Sequence, residues 1–284
     1  MTKNDDFSLV EPRRSAAPAK AGIHFQQAFS LVELSIVFVI LGLLVGGILV
    51  GQSLIRAAEL RSVLTDVEKY TTATKAFKTK YESLPGDMPD ATAFWGKDNT
   101  NCPTHSGTAA TPGTCNGNGD GIMNDATVAS GTGEIFQYWK QLTLTGLIEG
   151  SYSGIAGTAD PSQDLKGVNV PSARLKNAGW KTANAANWPG TAGGYALDYG
   201  NYLAIGAPLA GGQMLGATLT PQEAWDIDTK LDDGRPAYGF IIARYWNNAC
   251  SAADDGTSAN NDLNASYRLT DSSLQCALYF IKRF

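Results

Sequence analysis

The sequence predicts an α+β protein: one long N-terminal α-helix packed on a head built from an antiparallel β-sheet with long loops. Three observations lead there. The 22 residues from Leu34 to Ile55 carry no charge. Beyond Arg56, apolar residues recur at three- and four-residue spacings, with no proline between the two stretches. The rest of the chain is rich in Gly, Asn, Ser, Thr and Ala and holds short aromatic and branched runs of strand character.

Whole-chain averages hide this organisation. The chain has 284 residues, a net charge of −5 and 43% hydrophobic residues. That content excludes wholesale disorder. The mild acidity argues against nucleic acid as a partner, because phosphate-binding surfaces carry a basic excess. The mean hydropathy of −0.15 pools an apolar span with a polar head.

The apolar window holds 15 aliphatic or aromatic residues, four glycines, and Ser35, Gln52 and Ser53. At about 1.5 Å per residue it spans roughly 33 Å, enough for a bilayer core of about 30 Å. A core helix of a soluble domain would show a polar face instead. Residues 1–28 carry Lys3, Arg13, Arg14 and Lys20 against Asp5, Asp6 and Glu11, a balance of +1. The positive-inside rule then places the N-terminus in the cytoplasm. An ordinary secretory signal has a shorter core and its small cleavage-site residue after it. Here Ala28 comes before the core. Arg13-Arg14 reads as plain positive charge, not as a twin-arginine signal. At the head of the run stands Glu33, whose carboxylate costs about 2–3 kcal/mol near hydrocarbon unless it is paired or reaches the headgroups.

The segment Ala28-Phe29-Ser30-Leu31-Val32-Glu33-Leu34, followed directly by the apolar run, resembles the class III signal of type IV pilins and type II secretion pseudopilins. The resemblance implies that a prepilin peptidase cuts on the cytoplasmic side between Ala28 and Phe29 and methylates the new amine. Phe29 would be the first mature residue, and Glu33 falls at the fifth mature position, where the family carries its Glu. In family filaments that Glu is thought to pair with the N-terminal amine of a neighbouring subunit, which neutralises an otherwise costly charge. Two features depart from the family pattern: Ala28 replaces the commoner Gly, and the 28-residue leader is long. Phe7-Ser8-Leu9-Val10-Glu11 echoes Phe29 to Glu33 but runs on into Pro12-Arg13-Arg14, so it is not a second membrane signal.

The implied organisation is a leader at 1–28, a membrane and assembly half-helix at 29–55, an amphipathic half at 56–84, and a periplasmic head at 85–284. The implied partners are the prepilin peptidase, other pilin or pseudopilin subunits and the inner membrane. The protein would first sit in a bacterial inner membrane with its N-terminus cytoplasmic, and then enter a pilus or pseudopilus. Gly42/Gly46 and Gly47/Gly51 form two small-xxx-small frames, which permit close helix packing in membranes. They also weaken the helix by about 1 kcal/mol each relative to Ala, so local melting during assembly is the other reading.

In the amphipathic half, Leu60, Val63, Leu64, Val67, Tyr70, Phe77 and Tyr81 form the apolar stripe, and Leu84-Pro85-Gly86-Asp87 stops the helix. The head carries 12 basic and 19 acidic residues, a balance of −7. Glu134 to Ile148 reads as a short amphipathic helix. Thr220-Pro221-Gln222-Glu223 is a capping box with Pro at the first helical position, and Asp232-Asp233-Gly234 ends the helix it starts. Tyr202–Ile205, Tyr238–Trp246 and Gln275–Lys282 read as strands. Residues 99–133 and 150–195 read as long loops, long enough to carry contacts of their own.

The four cysteines, Cys102, Cys115, Cys250 and Cys276, all lie in the head, which fits an oxidising compartment. Three connectivities are open, and the sequence-local one pairs Cys102 with Cys115 and Cys250 with Cys276. The second of these resembles the disulfide-bounded C-terminal loop of many pilins. The spacings lack the paired Cys-x-x-Cys knuckles of a zinc site.

Asn116, Asn118 and Asp120 alternate with glycines before Gly121, a pattern like the start of a calcium loop, and Asn124 and Asp125 could add ligands. Two of the three early ligands are neutral, and Thr127 stands where a bidentate Glu belongs; Glu134 could complete the shell. Calcium is therefore the one cofactor the sequence suggests. The competing reading is an Asn/Gly turn stapled by a disulfide. Some pseudopilins bind calcium at a C-terminal loop, where this chain has Asp254, Asp255 and Asp262.

The competing reading as a signal-anchored periplasmic hydrolase is thin, resting on carboxylate pairs that could serve acid–base chemistry. His105 stands alone in a loop, and there is no nucleophile elbow, phosphate loop or dinucleotide fingerprint. Asp226/Asp228 and Asp232/Asp233 are explained by solvation at a helix and its end. Trp180, Trp188 and Tyr195, in glycine-rich surroundings, suit either a binding module or the core.

Overall fold

The computed structural model describes residues 30–123, 133–186, 193–244, 249–252 and 262–284. The chain divides into two compact units, Met1–Gln52 and Ser53–Phe284. Helix α1 runs Leu31–Tyr81. It is long and apolar enough to cross a membrane, and its large apolar side chains from Leu31 to Ile55 are all exposed. It starts two residues later than the expected Phe29, which lies outside the described residues. The start is set by Ser30, whose Oγ accepts the Val32 N–H at 3.2 Å.

The second unit is the head with the amphipathic half of α1. In chain order it adds α2 (Ala91–Trp95), α3 (Glu134–Leu144), β1 (Gly179–Ala185), β2 (Gly200–Pro208), β3 (Met214–Gly216), α4 (Pro221–Leu231), β4 (Ile241–Arg244), β5 (Ser251–Ala252), β6 (Ser266–Tyr267) and β7 (Ala277–Ile281). The main sheet is antiparallel in order β1-β2-β7-β4, with β3 also paired to β2. The fold is therefore α+β, a long helix packed on an antiparallel sheet, as the residue pattern predicts.

The stripe Val63, Val67, Tyr70, Ala73 and Phe77 is buried. Such spacing puts these residues on one helix face. Tyr70 is the hinge of the packing. Its ring meets Trp139 of α3 edge-on at 5.0 Å and Trp180 of β1 at 5.3 Å, and Trp180 meets Phe280 of β7 at 5.9 Å. Thr74 Oγ1 and the Tyr138 hydroxyl share a buried hydrogen bond of 2.6 Å.

Several expected elements need correction. The stretch 150–195 is not one long loop, because it contains β1. That strand reads Gly-Trp-Lys-Thr-Ala-Asn-Ala, poor in branched residues, and it forms because it pairs along its whole length with β2. Helix α3 is not amphipathic in its burial, since every residue from Glu134 to Leu142 is buried. Strand β4 is shorter than Tyr238–Trp246. The Asp232 carboxylate accepts the N–H groups of Phe240 and Ile241, which holds the preceding residues in a turn; residues 245 and 246 lie outside the described residues.

Helix α4 has the expected capping box. Glu223 N–H donates to Thr220 Oγ1 at 3.2 Å, and Thr220 N–H donates to Glu223 Oε2 at 2.9 Å. The same carboxylate takes a fork of two hydrogen bonds from Arg56, Nε at 2.6 Å and Nη2 at 2.7 Å, which ties α1 to α4. Burial alone would raise the Glu223 carboxyl, but Arg56 and the Thr220 N–H hold it below the usual carboxylate range.

Asp228 is not a solvated helix carboxylate as the sequence suggests. It is buried on α4 and accepts from the Tyr267 hydroxyl of β6 at 2.8 Å. Burial, with Asp232 and Asp233 adding to it, pushes its pKa from 3.8 up to about 7, against the pull of the Tyr267 and Gly234 hydrogen bonds. Between these values the folded chain keeps a proton that the unfolded chain releases, so stability falls as pH rises through the window and levels off above it. Asp228→Asn is expected to flatten that slope, read as urea midpoints that no longer differ between about pH 5 and about pH 7.

Candidate functional site

Most residues singled out by the sequence fall in two regions, the start of α1 and the loop around Asp120. Ala28 and Phe29 lie outside the described residues. Glu33 Oε2 accepts the Ser30 N–H at 2.8 Å. With the Ser30 Oγ bond to Val32 this makes a reciprocal cap, and Ser30-x-x-Glu33 is its sequence signature. The carboxylate thus already satisfies one backbone donor of the helix start. A Cβ built at Gly42, Gly46, Gly47 or Gly51 would meet open space. These glycines therefore leave the helix backbone bare on its surface.

Cys102 is bonded to Cys115 and Cys250 to Cys276, with Cα atoms 5.8 and 5.0 Å apart. The first bridge sits against α3, where two glutamines hold the loop. Gln137 Oε1 accepts the Thr114 hydroxyl at 2.9 Å and the Cys115 N–H at 3.2 Å. Gln141 Nε2 donates to the Cys115 carbonyl at 3.1 Å, and its Oε1 accepts the Gly86 N–H at 2.6 Å. The buried polar side of α3 is thereby spent on loop backbone, which explains why a helix with polar residues on it is buried all round. Lys140 reaches Asp98 at 3.1 Å. His105 Nδ1 accepts the Asn116 N–H at 3.0 Å, a positioning role.

Of the residues expected to ligate calcium, the described ones are Asn116, Asn118 and Asp120, and each side chain accepts a backbone N–H. Asn116 Oδ1 accepts the Thr92 N–H at 2.8 Å. Asn118 Oδ1 accepts the Asp120 N–H at 3.0 Å, and Asp120 Oδ1 accepts the Ile122 N–H at 2.8 Å. Asn124 and Asp125 lie outside the described residues, as do Asp254 and Asp255 of the C-terminal loop. What converges is Asp87, Asp120 and Glu134, each offering a carboxylate oxygen within 4.8 Å of the others. These are the described residues that could hold a cation here.

Asp87 belongs to the stop signal of α1, and sequence proximity gives no hint that it reaches this loop. Its Oδ1 accepts Gly119 N–H at 2.7 Å and Asp120 N–H at 3.2 Å, and its Oδ2 accepts Gly121 N–H at 2.8 Å. Glu134 Oε1 accepts the Asn118 N–H at 2.9 Å. The two segments lock closely. A Cβ on Gly86 would overlap the Glu134 carbonyl, and one on Gly117 would overlap the Asp87 backbone. Burial raises the Asp87 carboxyl above its usual range, and the three N–H groups oppose the shift. Asp87 is buried, and its carboxylate is the acceptor that ties the exposed backbone of residues 119–121 to the fold. Asp87→Ala is therefore expected to speed amide hydrogen exchange at Gly119 and Gly121 well before exchange in the sheet.

Trp180 and Tyr195 are fully buried, so they are core and not contact residues; Trp188 lies outside the described residues. The Tyr195 hydroxyl is hydrogen-bonded to Ser251 of β5.

No family model, curated protein or solved structure matches the chain.

Proposed function

We propose that the chain is a pilin-like structural subunit, cleaved between Ala28 and Phe29 by a prepilin peptidase and assembled through α1 into a type IV pilus or a type II secretion pseudopilus. The observation that carries the reading is the pairing of the Ala28-to-Glu33 signal with a helix whose first 25 residues, 31–55, expose their large apolar side chains. Such a surface needs hydrocarbon or other helices around it. Before assembly the bilayer supplies the first, and a filament core of neighbouring α1 helices supplies the second.

The amphipathic half of α1 supports the same reading. It is built into the core of the head through Tyr70 and Phe77, and the one helix Leu31–Tyr81 carries both the apolar segment and this stripe. A signal-anchored enzyme has no need of such continuity. In this reading the N-terminus is cytoplasmic before cleavage, the head is periplasmic, and both disulfides form there.

Mass spectrometry of the N-terminal peptide from membrane-extracted protein tests the proposal. The expected peptide begins at Phe29 and carries one methyl group. Residues 1–28 still attached in cells with an active prepilin peptidase would overturn it.

A further inference from the structure

Helix α1 begins at Leu31 with Ser30 as its cap, and the residues before it do not by themselves explain that start. The stretch 23–29, Ile-His-Phe-Gln-Gln-Ala-Phe, holds no glycine or proline. Alanine and glutamine are strong helix formers, so nothing in this stretch ends a helix by its own preference. The side chains of Ser30 and Glu33 supply the stop. The first backbone bond of α1 runs from the Leu34 N–H to the Ser30 carbonyl at 3.2 Å. Ser30 Oγ accepts the Val32 N–H at 3.2 Å, and Glu33 Oε2 accepts the Ser30 N–H at 2.8 Å.

Those two donors are the ones a longer helix would use. In an α-helix each N–H bonds to the carbonyl four residues earlier. Continued upstream, α1 would take the Val32 N–H to the Ala28 carbonyl and the Ser30 N–H to the Gln26 carbonyl. The cap captures both. Ala28–Phe29 is the bond at which the proposed cleavage falls. The Val32 N–H is therefore the donor that would otherwise hold the scissile carbonyl in a helix. A peptidase acts on backbone released from such bonds, and cleavage follows the population of the open form when opening is fast.

We propose that Ser30 is a positioning residue for the removal of residues 1–28, a role that rests on the subunit reading above. By capping α1, its hydroxyl keeps the Ala28–Phe29 bond outside the helix and open to a prepilin peptidase. Ala28 sharpens the need, since alanine favours helix more than any other residue. In the step itself, water adds across the amide bond. Its hydroxyl goes to the Ala28 carbonyl carbon, its proton goes to the Phe29 nitrogen, and the C–N bond breaks. Ser30 takes no part in that exchange and acts only through the point at which the helix starts.

The test is the rate at which the full chain in membranes loses residues 1–28 to a prepilin peptidase, followed by gel shift, with the new N-terminus read by mass spectrometry. Ser30→Ala is expected to slow cleavage about five-fold, the population factor of one lost cap. Ser30→Thr keeps an Oγ acceptor and is expected within about two-fold of the unaltered chain. The decisive variant adds Gln26→Gly and Gln27→Gly to Ser30→Ala. The two glycines disfavour an upstream helix without touching the scissile residues, and they are expected to bring the rate back to within about two-fold. Cleavage of Ser30→Ala at the unaltered rate overturns the proposal and leaves the subunit reading standing. Threonine as slow as alanine overturns it too. Slow cleavage that the glycines fail to restore means that the peptidase reads the hydroxyl directly, which again overturns it. An unaltered chain that is not cleaved at all overturns the subunit reading, and this proposal with it.

Discussion

Under the proposed assembly, replacing Glu33 with alanine is expected to leave the chain in the membrane and to exclude it from filaments. The apolar run of α1, long enough to cross a membrane, is untouched by the change. What is lost is the carboxylate that would meet the methylated amine of a neighbouring subunit. The helix-start geometry adds a sharper comparison. Glu33 also closes a reciprocal cap with Ser30, so alanine removes two functions at once. Glutamine preserves the capping pattern and removes only the charge. Glu33→Gln is therefore expected to behave like alanine in filament incorporation, measured by immunoblot of sheared filament fractions against membrane fractions. Normal incorporation of the glutamine variant would leave the residue as a helix cap and nothing more.

Trp180→Ala is expected to be the most destabilising single change in the head, at about 3–5 kcal/mol. Trp180 is fully buried and joins three elements, through Tyr70 of α1, Phe280 of β7 and its own place on β1. Alanine would leave a cavity where helix and sheet meet. Trp180→Phe keeps a ring at the site and should lose clearly less. Urea unfolding followed by far-ultraviolet circular dichroism measures both. A loss below about 1 kcal/mol for the alanine variant would mean that the layer can collapse onto the gap.

The features legible in the sequence are those written in near neighbours. The α1 stripe from Val63 to Phe77 follows helical spacing, and the Thr220–Glu223 capping box spans four residues. The same local signature stands at Ser30 and Glu33, where it competes with the membrane reading of the carboxylate. Strand β1 is less legible because Ala, Asn and Gly carry little strand preference; its pairing with β2 makes it a strand. Asp87 and Asp228 are harder still. Each is an ordinary polar residue near a helix end until a distant segment folds over it, the Gly119–Gly121 backbone in one case and Tyr267 in the other. Gln137 and Gln141 likewise find their partners only in the distant Thr114–Cys115 and Gly86 segments.

The order of the sheet has a consequence for the timing of synthesis. Strand β7, at 277–281, lies between β2 and β4. Those two strands cannot join one sheet until the ribosome has released the segment that lies between them. The apolar part of α1 emerges long before that, while the head is still an open chain. During this interval β2 presents an unsatisfied backbone edge, the kind of surface on which unfinished chains pair with one another. A nonsense codon just before Ala277 would make the condition permanent. Such a truncated chain would keep the apolar part of α1, with the middle of its sheet missing.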